Sequence, residues 1–175
     1  MSDELATVVI EALRVRVTAV FPAQIRASLD QLSDDEIWSR PNEQSNSVGN
    51  LVLHLTGSLN HYLNHKLGTL EFHRDRPAEF AERRRIPKEE LRTRFDEMVR
   101  QAELTFAWIT AGQLMKPSPE PKMNRYVVED LLNIGVHMST HTGQILWITK
   151  MFRGGAFDDL WMKTHRSAGA WPKSS

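Results

Sequence analysis

The sequence predicts an all-α protein, a four-helix bundle with long crossover connections, and three observations predict it. Four long segments repeat apolar residues at the spacing of one helical face. Serines, prolines and glycines that start or stop helices stand at their borders. No segment shows the strict apolar–polar alternation of a half-buried strand, and no two-residue hairpin signal is present.

The first helix is expected from Asp3 to about Asp30, with Leu5, Val8, Val9, Ala12, Val15, Ala19 and Ile25 on one face. Pro22 should kink or interrupt it, because proline lacks the backbone donor and crowds the preceding turn. Ser33-Asp-Asp-Glu36 is a capping-box pattern and predicts a short helix through Ile37 and Trp38. After a polar loop from Pro41, Ser47 is placed to cap a second long helix that runs to Gly68. The charged connection from Gly68 to Pro87 is long for a small domain, and such segments tend to carry function or structure of their own. Pro87, followed by Glu89 and Glu90, opens a third helix reaching about Ala111. The prolines between Pro117 and Pro121 impose a loop. A fourth helix then runs from about Tyr126 to Phe152 and stops at Gly154-Gly155. The chain reads as a single domain over 1–175, with 153–175 as a C-terminal tail docked on the bundle. Of the tryptophans, Trp108, Trp147, Trp161 and Trp171 are read as core by default, with a pocket or a dimer face as the alternatives.

Composition excludes several function classes. Basic and acidic residues both number 22, so nothing favours a polyanion such as nucleic acid as the partner. The run Glu82-Arg83-Arg84-Arg85 is the one concentrated basic patch, and a solvated connection accounts for it. With no cysteine there is no thiolate metal site, cysteine nucleophile or disulfide framework. The N-terminus lacks the basic-then-apolar order of a signal peptide, and no stretch of about 18 apolar residues exists to span a membrane. A soluble, cytoplasmic protein is expected.

The chemistry lies in the seven histidines. His137 and His141 form an i, i+4 pair on one face of an apolar helix, near enough to share one ion. Burying two imidazoles there is costly unless each ring nitrogen finds a partner, and a metal supplies one per ring. A third ligand must come from another helix. His54, between leucines in the second helix, is the best candidate. His61 and His65 compete, because an α-helix brings all three within about 20° of one line. Asn60, Asn64 and Lys66 mark that end of the helix as polar and frayed, which favours a solvated reading of His61 and His65. Asn50 and Asn133, each four residues before a histidine, are candidates to fix ring tautomers, and Gln144 to orient water or a supporting group. No HExxH, GxSxG, Walker or GxGxxG motif is present, nor the Glu-x-x-His pair of bundle di-iron sites.

The run NSVGNLVLHLTGSLNHYL, followed much later by HMSTHTGQI, resembles the DinB-like, or YfiT-like, superfamily of metal-binding four-helix proteins. NSVGNLVLHLTG with RDRPAEF behind it is similar to a bacterial branch of that superfamily known as a domain of unknown function. The resemblance implies that one histidine of the second helix and two of the fourth, here His54, His137 and His141, bind one divalent ion, nickel or zinc. It also implies a homodimer, and either thiol-dependent transfer or metal-dependent hydrolysis.

Three neutral ligands leave the ion its full charge and an open position, the catalytic pattern rather than the closed structural one. Two activities follow. Water made acidic by the metal can attack a small-molecule electrophile, or a low-molecular-weight thiol arriving from solution can do so as thiolate. No acid–base residue is assigned. The alternative from another class is a non-catalytic, metal-stabilised module that binds a ligand or acts in stress response; an interior open to solvent favours the enzyme and a filled one the module.

Overall fold

In the computed structural model the structure describes residues 2–120 and 124–154, together with Thr164. Among these the chain is all-helical, without strands; an isolated bridge joins Pro117 to Tyr126. None of these helices is long and apolar enough to cross a membrane. The expected docking of the tail lies outside the described residues from Gly155 onward, Thr164 apart.

The first run is α1 (Asp3–Val15), a π-helical turn at Arg16–Val20 and α2 (Phe21–Gln31). The α-helix is interrupted as expected, but just before Pro22 rather than at it. Pro22 occupies the first turn of α2, where its missing donor is harmless, and the π turn before it absorbs the irregularity. This corrects the expected apolar face. Leu5 and Val8 are more than half exposed and Ala12 is exposed, whereas Ala6, Val17, Val20, Ile25 and Leu29 are buried. The stripe that packs is Ala6, Ile10, Leu13 and Val17, which also has helical spacing but begins one residue later.

The capping box at Ser33 forms as expected and starts α3 (Asp34–Trp38), with Ser33 and Glu36 each accepting from the other's backbone N–H. The Trp38 indole N–H donates to the Ile86 carbonyl at 2.9 Å. Its ring lies so close to the second run that a Cβ at Gly49 would fall 2.8 Å from two of its carbons. The second run comprises α4 (Val48–Leu59), capped by Ser47, and a π-helical turn at Asn60–His65. The connection that follows contains α5 (Arg76–Ala81), capped by Asp75 and opened by Pro77. Its basic end is solvated in part only: Arg83, Arg84 and Arg85 are exposed, while the Glu82 side chain is 10% exposed.

The third helix, α6 (Lys88–Trp108), ends three residues earlier than expected, and a 3₁₀ turn at Ala111–Gln113 follows. The fourth, α7 (Val127–Arg153), is uninterrupted, and Arg153 ties its end to Glu36 of α3. Both α6 and α7 pack on the α1–α2 run and on the α4 run, whereas those two runs share no extensive contact. The core between them holds Leu29, Leu51, Leu55, Leu59, Phe95, Met98, Leu131 and Met138. Trp108 and Trp147 are not part of it. They are 75% and 65% exposed, which removes the core reading for both; Trp161 and Trp171 lie outside the described residues.

Candidate metal centre

Where α4 faces α7, His54 meets His137 and His141. His54 is buried and the other two are half-buried. Ring centroids lie 4.9 Å apart for His54–His137 and for His54–His141, and 4.6 Å apart for His137–His141. One donor nitrogen from each falls within 4.8 Å of the other two, the one such convergence of three His, Asp or Glu among the described residues. This cluster can hold a metal ion.

The proton positions support that use. His54 Nδ1 lies 2.8 Å from Glu79 Oε2, which can only accept. It also lies 3.2 Å from Arg74 Nη2, which donates instead to Glu79 at 2.9 Å, so the shorter contact to the carboxylate places the proton on Nδ1. His141 Nδ1 lies 2.6 Å from Gln144 Oε1, which likewise can only accept. Both rings therefore present an Nε2 lone pair. His54 Nε2 approaches His137 Nε2 at 2.9 Å, and two such atoms can share at most one proton. A single divalent ion satisfies all three lone pairs, so the donor set fits one. Burial holds His137 down to about 4, with help from the neighbouring His141 and His54, and burial also lowers His141. Both imidazoles are thus neutral, ligating bases at pH 7.

Behind His54 lies an ion pair that sequence reasoning missed. Arg74 donates through Nε and Nη2 to the two oxygens of Glu79, at 2.7 and 2.9 Å, and both side chains are 9% exposed. Burial pushes the Glu79 carboxyl up, but hydrogen bonds from His54 and Arg74 outweigh it and hold the group below its ordinary value. Glu79 comes from α5, inside the long connection. Gly57 admits it: a Cβ there would lie 2.0 Å from Glu79 Oε1.

Asn50 does not reach the His54 ring. Its Oδ1 accepts from Ser47, and its Nδ2 donates to the backbone carbonyls of Glu79 and Glu82 at 3.1 and 3.3 Å. It secures the segment that carries Glu79. Asn133 is exposed and lines the neighbouring cavity, with no contact to a ring nitrogen among the described residues. Gln144 alone of the three meets a ligand ring directly.

His61 and His65 stay outside the cluster. Both are half-buried rather than solvated, and their turn is anchored by buried Leu63 and Asn64. A π turn has more residues per revolution than an α-helix, so it rotates them off the line through His54. His65 Nδ1 bonds the Leu70 carbonyl at 2.7 Å, and His61 Nδ1 is buried without a partner among the described residues.

Beside the cluster opens a cavity of about 280 Å³, bounded by His54 and His137 together with Ser58, Tyr62 and Asn133.

Residues 4–166 match the profile of a family described as protein of unknown function (DUF1572). The match spans nearly the whole chain, and the chain belongs to this family. No curated protein matches it.

Proposed function

We propose that this DUF1572 member is a divalent-metal-dependent enzyme of the DinB-like, or YfiT-like, kind, with a small molecule as substrate. In this reading His54, His137 and His141 hold one nickel or zinc ion. The four long helical runs form a four-helix bundle. Its α1–α2 and α4 runs sit on one diagonal and α6 and α7 on the other, so the connections before α4 and before α7 are crossovers, whereas the connection from Gly68 to Pro87 joins neighbours.

The observation that carries the reading is the convergence of three imidazoles, two of which, His54 and His137, line an open cavity. A structural site is closed by protein ligands, whereas three ligands beside open space match the catalytic pattern. That cavity favours an enzyme over a purely metal-stabilised module. When bound, the ion supplies Lewis acidity toward water, a thiol or a carbonyl group.

The protein supplies orientation. Glu79 keeps the His54 proton on Nδ1, and Gln144 does the same for His141. Arg74 occupies Glu79, and Arg125 pairs with Asp130 at the cavity wall, so neither carboxylate is free to serve as a base. The reaction is hydrolysis, or transfer to an electrophile from a low-molecular-weight thiol.

Elemental analysis of untagged protein incubated with nickel or zinc is expected to find about one equivalent of metal. His54→Ala and His137→Ala should each lose it, and His61→Ala should keep it. A metal-free wild type, or loss in His61→Ala with retention in His54→Ala, would overturn the assignment. Turnover that His137→Ala abolishes, sought with esters and with thiol–electrophile pairs, identifies the reaction class. Full loading without turnover in either set transfers the reading to a ligand-binding module.

The proposal includes a homodimer. Its support is the apolar surface that α7 leaves exposed at Leu132, Val136, Trp147 and Met151. Sedimentation is expected to give twice the chain mass, and a monomer at micromolar concentration would remove this part.

A further inference from the structure

We propose that the cavity beside the histidines contains an oxyanion subsite, formed by Arg76, Arg125 and Ser58, that takes a carboxylate or phosphate group of the substrate. The inference rests on the metal-centre reading for the word substrate, but the subsite itself is built from other residues.

Three arginines line this cavity, Arg74, Arg76 and Arg125, against one carboxylate, Asp130. Two of the three are fixed by buried carboxylates: Arg74 by Glu79, and Arg125 by Asp130, whose side chain is 6% exposed. Arg125 uses its Nε for that pair, and its two Nη groups make no hydrogen bond among the described residues. A guanidinium held through Nε keeps its Nη edge free, and that edge matches an oxyanion in geometry and charge. Arg76 has no carboxylate partner among the described residues; its guanidinium lies 5.1 Å from the centre of the Phe80 ring. Glu79 and Asp130 offset Arg74 and Arg125, so Arg76 gives the wall its uncompensated positive charge. A cleft of one sign with low-dielectric walls concentrates ions of the other.

Ser58 is the second, independent observation. It is 6% exposed, lines the cavity one turn after His54, and its hydroxyl has no partner among the described residues. Most other buried or half-buried helical hydroxyls here bond back to the carbonyl four residues earlier. Thr18, Ser28, Thr56, Thr105 and Thr149 all do so. The Thr142 hydroxyl, which does not line this cavity, is an exception. The Ser58 hydroxyl faces the cavity without a protein partner among the described residues and is available to a ligand. At about 280 Å³ the cavity suits a small molecule, with its anionic end on the arginines and its reacting end toward His54 and His137.

Titration calorimetry of the full chain, metal-stripped and zinc-loaded, tests this with three probes: inorganic phosphate, propionate, and propionamide as the neutral control. Phosphate or propionate is expected to bind the metal-stripped wild type at low ionic strength. Arg76→Gln should weaken that binding about ten-fold or more, and Ser58→Ala by a smaller factor. Arg76 is exposed and has no carboxylate partner among the described residues, so its replacement is expected to leave the fold intact. Stronger binding of phosphate or of propionate then names the anion class. Equal binding by wild type and Arg76→Gln overturns the subsite, as does propionamide binding as well as propionate. Binding seen only with zinc overturns it too, since the anion then sits on the ion. Loss of the metal centre leaves the metal-stripped titrations unaffected, so the two readings fail separately.

Discussion

Glu79→Ala is expected to lower the stability of the metal-free protein by about 3–5 kcal/mol, the cost of removing one partner of a buried ion pair. The effect comes less from the bond lost than from the charge left behind. Arg74 is 9% exposed and would keep no carboxylate ion-pair partner among the described residues, while His54 would lose the acceptor that fixes its tautomer. Equilibrium denaturation in urea measures the first consequence. The second should appear as metal affinity about 10–100-fold lower in competition with a chelator, the usual effect of removing a group that orients a metal-binding histidine. Removing the orphan as well, in Arg74→Ala/Glu79→Ala, should recover part of the stability but none of the affinity. A Glu79→Ala protein with wild-type stability and metal affinity would show that the pair does not hold the centre.

Gly57→Ala should act through the same carboxylate. Alanine in a helix interior ordinarily gains about 1 kcal/mol over glycine. Here the added Cβ would lie 2.0 Å from Glu79 Oε1, and the carboxylate cannot swing aside without leaving both Arg74 and His54. Eviction at about 3–5 kcal/mol exceeds the helical gain, so a net loss of about 2–4 kcal/mol is expected. The sign should reverse without Glu79. In a Glu79→Ala background the obstruction is gone, and Gly57→Ala should be neutral or stabilising. A double-mutant cycle by urea denaturation reads that coupling directly. Additivity of the two changes would mean that Gly57 is present for another reason.

The sequence made the helices legible because apolar period and caps agree along most of the chain. Ser33, Ser47 and Pro87 mark real starts, and α7 lies within two residues of its expected span. The first helix was harder to read because two apolar stripes overlap between Asp3 and Ala19, and the π turn before Pro22 fixes which of them packs. Helical spacing alone placed His137 beside His141. It could not separate His54 from His61 and His65, since that argument assumes an α-helix through a stretch where the backbone widens to a π turn. Arg74 and Glu79 were not legible at all, because they stand in a connection without periodicity and act across a tertiary contact. Two signals pointed toward them. Asp75-Arg76-Pro77 is a helix start, and a glycine three residues after a buried histidine, in a helix that would be stronger with alanine, implies a close neighbour. Asn50 was placed near the right group for the wrong reason: as an N-terminal capping residue its side chain faces the loop side, and from there it reaches the backbone of α5 rather than an imidazole.

The passage of Glu79 from α5 onto His54 makes two equilibria one. Seating the connection against α4 and loading an ion on the histidines draw on a common free energy, and linkage requires the coupling to be reciprocal. If an ion binds ten-fold more tightly when the segment is seated, the bound ion shifts seating by the same factor, about 1.4 kcal/mol. Metal then becomes a fastener for the polypeptide from Arg74 to Glu82. Hydrogen exchange in that stretch would slow as the ion is titrated in, and a molecule drawing the segment away from α4 would release the ion.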